Sequence, residues 1–282
     1  MGEMGKQEKR IVFLTGIVLL IIFTFTDLQI SMSVATKPTA ARVLEVVGEL
    51  PFTILAASGC AMIVRYRNKR SAVKNIAALL GGGVLLLLFS AMGGFMTWNY
   101  LRRNIEGAPT VIVIIIGGAI ATFAIGIALQ VPEKNREKAL RFAAMALVYF
   151  LIVIIVMNTL KTIWGRMRFR EMTDPVNEFT RWYQICGRGK FDDAFASFPS
   201  GHSMNSAGVI LVILLPDFIP ALQGKEKMMR IFAYAWCVIV GFSRVLMGAH
   251  FASDVTIGVM LSLILFEILY TLLYRKGSRS NI

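Results

Sequence analysis

The chain is organised by a succession of long apolar runs, separated by short segments that carry most of the charge. The runs cover approximately residues 11–30, 45–64, 75–98, 111–129, 142–161, 203–220, 231–248 and 254–274. Each is close to the roughly 20 residues that an α-helix needs to cross a bilayer. The chain is 56% hydrophobic with a mean hydropathy of +0.65, which is too apolar for a soluble domain. We therefore predict an all-α polytopic membrane bundle of about eight transmembrane helices.

The basic residues concentrate in alternate segments between the runs. With the N-terminus inside, the inner segments carry Lys6, Lys9, Arg10, Arg65, Arg67, Lys69, Arg70, Lys74, Lys134, Arg136, Lys138, Arg141, Lys225, Lys227, Arg230, Arg275, Lys276 and Arg279. The positive-inside rule then predicts a cell-membrane protein with both termini in the cytoplasm, and it places segments 161–199 and 244–254 outside. The first run is longer than the apolar region of a cleaved signal peptide, which favours an uncleaved span. The net charge of +13 is accordingly assigned to lipid headgroups and not to nucleic acid.

Metal and disulfide chemistry have little support in the sequence. The three cysteines, Cys60, Cys186 and Cys237, are scattered and form no C-x-x-C motif, so they indicate neither a metal site nor a disulfide. The outer segments hold no cluster of Asp, Glu and His with metal-ligand spacing. We therefore predict a protein that uses no metal and no other cofactor.

The most informative stretch, residues 196–203, reads Ala-Ser-Phe-Pro-Ser-Gly-His-Ser and opens the apolar run 203–220. Pro, Ser and Gly at the start of a helix leave backbone N–H groups unpaired, and these groups suit a phosphate. His202 lies in or beside the first turn, where a proton donor could serve a departing alcohol. Taken alone, the stretch is better explained as a Ser N-cap with an incidental histidine.

Two cations precede this stretch, Lys161 at the end of the fifth run and Arg168 seven residues later. If the helix continues, both lie on one face, about 10 Å apart, and could clamp a doubly charged phosphate. Basic side chains that reach out to the headgroups from a helix end are the more common explanation of such a pair. We assign Arg166 and Arg170 to that second role.

A third group follows, formed by Arg244, His250 and Asp254. His250 and Asp254 are four residues apart and would face the same way on a helix. A carboxylate on one imidazole nitrogen leaves the other nitrogen free as a base or nucleophile. A structural His–Asp pair would explain the spacing about as well, but the chain has only 2 histidines. Both lie beside phosphate-suited groups on the same predicted side of the membrane.

The three blocks in this order resemble the signature of the type-2 phosphatidic acid phosphatase family, which shares its site with vanadium haloperoxidases and glucose-6-phosphatases. The resemblance covers residues 161–254, with internal spacings intact. Phe169 stands where the family usually has a proline. Five runs precede the first block where the family core has three helices, which leaves the subfamily open.

The resemblance implies a role for each matching residue. Lys161, Arg168 and Arg244 would bind the phosphoryl oxygens, helped by Ser200 and the backbone N–H of Gly201. His250 would be the nucleophile that forms a phosphohistidine, and Asp254 would orient it. His202 would protonate the leaving group, after which water would hydrolyse the intermediate. Three cations and a helix terminus can supply the charge neutralisation that phosphoryl transfer needs.

These observations predict two parts, residues 1–140 with about four spans and residues 141–282 as a catalytic core with about four more. The expected function is an extracytoplasmic lipid phosphatase, with undecaprenyl pyrophosphate or another polyprenyl pyrophosphate as the first substrate choice. Phosphatidate, phosphatidylglycerophosphate and a water-soluble ester such as glucose 6-phosphate are the alternatives. A phosphotransferase, and a transporter or lipid-binding protein without activity, also remain open; the sequence shows no internal repeat of the kind typical of transporters.

Several further residues receive roles outside the site. The loop 169–199 is long enough to cover the pocket and contact a headgroup, or it could simply lie along the interface. The side chains expected to contact the headgroup are Arg181, Trp182, Tyr183, Arg188 and Lys190. Asp27 and Glu49, near span ends, are assigned to the membrane interface, and Trp98 and Trp164 to the aromatic belt. The sequence does not predict an oligomeric state.

Overall fold

The computed structural model describes residues 4–187 and 192–275, and within those ranges it is helical with no strand. The α-helices are α1 (Lys6–Val34), α2 (Thr39–Val47), α3 (Leu50–Arg65), α4 (Ala72–Leu101), α5 (Val111–Leu129), α6 (Arg136–Trp164), α7 (Pro175–Glu178), α8 (Gly201–Ala207), α9 (Glu226–Leu246) and α10 (Ala252–Leu269). Shorter 3₁₀ segments are Glu133–Asn135, Phe169–Glu171, Asp193–Phe195, Gly208–Asp217 and Pro220–Leu222, and Tyr270–Arg275 is a π-helical extension of α10. Arg188, Lys190, Lys276 and Arg279 lie outside the described residues.

Within the described ranges, 7 helical stretches are long and apolar enough to cross a membrane. They are Lys6–Val34, Thr39–Arg65, Ala72–Leu101, Val111–Leu129, Glu133–Trp164, Glu226–Leu246 and Ala252–Arg275. The prediction of an all-α, multi-pass membrane bundle is therefore confirmed.

The remaining apolar run, 203–220, forms a different kind of crossing. The 7 residues of α8 continue directly into a 3₁₀ helix, Gly208–Asp217, of 10 residues. Because a 3₁₀ helix rises about 2.0 Å per residue against about 1.5 Å for an α-helix, the two together span about 30 Å. The segment begins beside Lys161, whose Cε lies 3.5 Å from the position of a Cβ on Gly201. It ends beside Asn135, whose Nδ2 donates to the carbonyl of Phe218 at 2.9 Å. It therefore runs the length of α6 and is almost wholly buried at the centre of the bundle.

The basic segments meet at one end of the bundle. Arg136 donates to the carbonyl of Tyr66 at 2.9 Å, and Arg230 pairs with Glu8 at 2.5 Å. Segments from the opposite helix ends meet at the other end, where the amide of Lys37 donates to the carbonyl of Leu246 at 3.0 Å. The alternation expected from the charges is thus present in the fold, whereas the side of the membrane that each end faces stays a prediction.

Helices from both halves of the chain pack together. In the centre, α3 contacts α6 and the 3₁₀ helix Gly208–Asp217, while α1 lies along α10 and α2 along α9. The hairpin of α4 and α5 packs mainly on α3 and is held tightly, since a Cβ on Gly94 would come within 2.2 Å of the Val113 carbonyl oxygen. The predicted division at residue 140 stays a prediction.

Candidate functional site

A cavity of about 610 Å³ opens at the end of the bundle opposite the basic segments. Six of the eight predicted site residues line it: Lys161, Arg168, Gly201, His202, Arg244 and His250. Ser200 and Asp254 are fully buried behind its wall. The three sequence blocks therefore meet in one place, together with residues from α2 and α4 and with Glu49, which lies between α2 and α3.

Gly201 and Ser200 differ in what they offer the cavity. Gly201 lines it, and a Cβ at that position would come within 2.8 Å of the sulfur of Met157. The hydroxyl of Ser200 instead accepts from the amide of Ser203 at 3.3 Å and bonds its hydroxyl at 2.8 Å. Ser200 thus caps α8, so the expected direct contact of its hydroxyl with phosphate is not what this geometry favours.

Lys161 and Arg168 reach the cavity from different backbone settings. α6 ends at Trp164, and Gly165 adopts a left-handed conformation with φ of 58°, so the expectation of both cations on one continuous helix is wrong. The amide of Arg168 donates to the carbonyl of Ala194 at 2.8 Å. The ammonium of Lys161 donates to the carbonyl of Ala196 at 2.6 Å. The chain reversal at Gly165 brings the two cations to the same wall.

The guanidinium groups of Arg168 and Arg244 are only partly satisfied. Arg168 Nη2 pairs with Asp193 at 2.5 Å, and Arg244 Nη2 pairs with Glu45 at 2.8 Å. Arg168 Nε, Arg244 Nε and Arg244 Nη1 are buried without a hydrogen-bond partner among the described residues. A buried donor left unpaired costs about 1–3 kcal/mol, so these atoms are suited to bind an oxyanion.

His250 has a defined tautomer. It lies in the turn between α9 and α10, and its Nδ1 is 2.6 Å from the carbonyl oxygen of Ser197. Since a carbonyl only accepts, Nδ1 carries the proton and Nε2 keeps a lone pair. The side chain is 2% exposed. Burial, followed by the charges of Arg168, Lys161 and Arg244, holds the pKa of His250 well below its usual value. The imidazole is therefore neutral near pH 7.

The expected direct contact of Asp254 with His250 is wrong, because α10 begins at Ala252 and His250 lies before it. Asp254 accepts instead from the Ser197 hydroxyl at 2.6 Å and from the amide of Phe251 at 2.9 Å. No hydrogen bond within residues 4–187 and 192–275 joins Asp254 to His250. Asp254 is linked to His250 indirectly: it accepts from the hydroxyl of Ser197, and the carbonyl of Ser197 accepts from the imidazole.

Arg166 is a buried partner of both Asp27 and Asp254, so the assignments of Arg166 to the headgroup region and of Asp27 to the interface are wrong. Arg166 is 0% exposed, and its two terminal nitrogens lie 2.6 Å from Asp254 and 3.1 Å from Asp27. Its guanidinium carbon is 4.1 Å from the ring centroid of Phe251. Asp27, from α1, also accepts from the amide of Ser253 at 3.0 Å. Buried charges need such partners, and an acid within an apolar run was the sequence signal for one.

Glu45 and Glu49 contribute the acidic wall of the cavity, so the interfacial assignment of Glu49 is also wrong. The two residues are four positions apart, with Glu45 in α2 and Glu49 in the break just before α3. Glu45 pairs with Arg244 as described above, and its carbonyl oxygen lies 3.1 Å from His202 Nε2. Glu49 Oε1 lies 3.4 Å from His202 Nδ1. The ring of Tyr100, from α4, sits 4.7 Å from that of His202.

The loop 169–199 covers the cavity with its last residues. Asp192, Asp193, Phe195 and Ala196 line the cavity, whereas Trp182 packs on α1, where its indole N–H donates to Thr24 at 2.9 Å. Contact of this loop with a lipid headgroup stays a prediction.

Ring packing and hydrogen bonds account for three other aromatic residues of this region. Trp164 stacks on Phe198 at 4.7 Å and donates to the Trp182 carbonyl at 2.6 Å, which is a structural role within the site wall. Trp98 donates to the carbonyl of Ala108 at 2.9 Å. Phe169, in place of the family proline, packs edge-on against Phe251 at 6.2 Å.

Within the described ranges, no group of three or more His, Cys, Asp or Glu side chains is arranged to hold a metal ion. Independence of metals nevertheless stays a prediction about activity. The cations, the neutral His250 and the acidic wall form an arrangement suited to bind an oxyanion, at one end of a multi-pass membrane bundle.

Comparison with known proteins identifies the family of this region. Residues 142–278 match the PAP2 superfamily, so the chain carries a PAP2 superfamily domain and the resemblance read from the three blocks is confirmed. The chain is 50% identical over 72 residues to "Phosphatidylglycerophosphatase B" of Bacillus subtilis (strain 168). That match covers 25% of this chain and 36% of the relative, so it spans about a third of the relative's length. No solved structure matches the chain at a significant level.

Proposed function

We propose that this protein is an integral-membrane lipid phosphatase that works through a phosphohistidine on His250. The observation that carries the proposal is the hydrogen bond of His250 Nδ1 to Ser197, which leaves a neutral nucleophilic nitrogen beside partly unpaired guanidinium groups. The PAP2 superfamily domain supports the same chemistry.

In the first step, Nε2 of His250 attacks the phosphorus atom and the bond from phosphorus to the lipid oxygen breaks. Lys161, Arg168 and Arg244 neutralise the charge that spreads over the phosphoryl oxygens, which is the main contribution that a protein makes to this reaction. In the second step, water attacks the phosphorus, the P–N bond breaks, and inorganic phosphate leaves with the imidazole regenerated.

The leaving alkoxide takes its proton from the pair formed by His202 and Glu49. His202 Nε2 faces the Glu45 carbonyl at 3.1 Å and so carries a hydrogen. His202 Nδ1 faces a carboxylate oxygen of Glu49 at 3.4 Å, and a contact of that kind holds one proton between the two groups. We assign this shared proton to the leaving group, and the attacking water restores it.

A lipid with a terminal phosphate is the substrate class that fits a site at a bilayer end. The name of the Bacillus subtilis relative favours phosphatidylglycerophosphate. Polyprenyl pyrophosphate is the second candidate, because Arg103 lines the cavity and is exposed, which supplies a further cation for a second phosphate group.

The test uses the full chain purified in detergent, with phosphate release measured from phosphatidylglycerophosphate, undecaprenyl pyrophosphate and glucose 6-phosphate. We expect turnover of at least one lipid, unchanged by EDTA and inhibited by vanadate. His250→Ala should abolish release while the protein stays folded, and Asn68→Ala, at an exposed position of the basic end of the bundle, should retain turnover. Full turnover by His250→Ala would remove the nucleophile assignment. A wild-type protein that releases no phosphate from either lipid would favour a transporter or lipid-binding protein.

We also propose that the site faces away from the cytoplasm, with both termini inside, because the basic segments gather at the opposite end of the bundle. Single cysteines at Glu106, near the cavity end, and at Lys69, at the basic end, can be compared in a background with Cys186→Ser. A membrane-impermeant maleimide should label Glu106→Cys in intact cells and Lys69→Cys only after permeabilisation. The reverse pattern would invert the topology.

A further inference from the structure

A second cavity, of about 220 Å³, lies deeper in the bundle beside the phosphate-suited cavity. Its walls come from α3, α4 and α6 and are mostly apolar, with Leu50, Phe52, Met92, Phe150 and Ile154 among them. Six residues line both cavities: Glu49, Met96, Tyr100, Met157, Asn158 and Asn205. The two spaces are therefore neighbours across a boundary that is polar on one side and apolar on the other.

The second cavity lies between two helices, α4 and α6, that pack on a common neighbour. α4 and α6 both pack on α3 but make few contacts with each other. Phe89 of α4 meets Phe150 of α6 edge-on at 4.8 Å, and this contact closes the gap at its deep end. Between that aromatic contact and Tyr100, the space between α4 and α6 is the second cavity.

We propose that this second cavity is a subsite for a hydrocarbon chain of the substrate, occupied by the chain segment nearest the phosphate while the rest passes between α4 and α6 into the bilayer. The inference rests on the proposed function, since it places the phosphate in the larger cavity. Glu49 and Asn205, which line both cavities, then lie where the polar head of the lipid meets its hydrocarbon chain.

The hydrocarbon chain of the lipid gains little hydrophobic free energy by moving from the bilayer into the second cavity, because both environments are apolar. The subsite therefore contributes by position: a chain held there fixes the phosphorus relative to His250, and misplacement of about 1 Å can cost about 100-fold in rate. Blocking the cavity should lower turnover of a long-chain substrate without weakening the phosphate site.

Two variants fill the cavity from opposite walls, Ile154→Trp on α6 and Met92→Trp on α4. Ile155→Trp is the matched control, because Ile155 is the next residue of α6 and is 54% exposed on the outer surface. The substrate is dioleoyl phosphatidylglycerophosphate in mixed micelles. Binding of vanadate, followed by thermal shift, reports separately on the phosphate site.

We expect kcat/KM for the dioleoyl lipid to fall at least tenfold in both cavity variants relative to Ile155→Trp, with vanadate affinity within twofold of wild type. Retention of wild-type kcat/KM in either cavity variant would overturn the subsite. Parallel loss of vanadate affinity and activity in both would also overturn it, since the damage would then lie in the phosphate site. A wild-type protein that binds vanadate but hydrolyses no lipid would overturn the proposed function first, and the subsite with it.

Discussion

Arg166 is the residue whose replacement tests the buried charge network most directly. Its guanidinium lies between Asp27 and Asp254, and none of the three side chains is more than 1% exposed. Arg166→Met keeps the length and apolar stem but leaves two carboxylates without their cation. Breaking a buried ion pair from one side costs about 3–5 kcal/mol, and loss of the contact with the Phe251 ring adds about 0.5–2 kcal/mol. We expect Arg166→Met to lose at least about 3 kcal/mol of unfolding free energy.

The measurement is reversible unfolding in mixed micelles, with Asp27→Asn and the double variant completing a cycle. Asp27→Asn alone should cost less, about 1–3 kcal/mol, because Arg166 keeps Asp254. In the Arg166→Met background, Asp27→Asn should stabilise the protein, because it removes one of the two negative charges, on Asp27 and Asp254, that then lie near each other without a cation. An Arg166→Met protein as stable as wild type, or a double variant less stable than Arg166→Met, would refute the reasoning.

Three further predictions concern the chemistry around the two histidines. Glu49→Gln should lower kcat on a lipid substrate about tenfold or more, within reach of the roughly 10²–10⁴-fold effects of general acids. The loss should be smaller for p-nitrophenyl phosphate, whose leaving group needs no proton, and equal losses would contradict the shared proton with His202. Because burial and neighbouring cations depress the pKa of His250, wild type should lose unfolding free energy relative to His250→Asn as pH falls below about 6.5 toward the folded pKa. That loss reaches up to about 1.4 kcal/mol per pH unit and is absent above pH 6.5; a difference independent of pH between 7.5 and 5 would argue against a neutral buried imidazole. Ser197→Ala should cost about 1–3 kcal/mol and reduce kcat without changing vanadate affinity, whereas unchanged kcat would show that Asp254 does not act through Ser197.

Features that depend on local pattern could be predicted from the sequence. The apolar runs identified the crossing helices, because a bilayer imposes length and composition on each span separately. The three blocks identified Lys161, Arg168, His202, Arg244 and His250 as members of one site, and all line the same cavity. Even the buried crossing at 203–220 was visible as an apolar run, although its 3₁₀ geometry was not.

Features that depend on how distant segments meet could not be predicted in the same way. The four-residue spacing predicted a direct contact between His250 and Asp254 on one helix. In the structure α10 begins at Ala252, so His250 lies outside the helix that carries Asp254. The roles of Asp27, Glu45, Glu49 and Arg166 follow from contacts across 88 to 199 residues of chain. A charged side chain can be buried only where it meets a partner of opposite charge, and the local sequence pattern does not identify that partner.

The segment that matches the PAP2 superfamily starts at residue 142, yet three of the acids around its site precede that point. Asp27 neutralises Arg166 from α1, while Glu45 and Glu49 meet Arg244 and His202 from the second span. A fragment cut at the boundary of the match would keep every motif residue and lose the counter-charges that let two buried arginines exist in an apolar interior. We therefore expect the smallest piece of this chain that folds to be larger than the segment that matches the PAP2 superfamily.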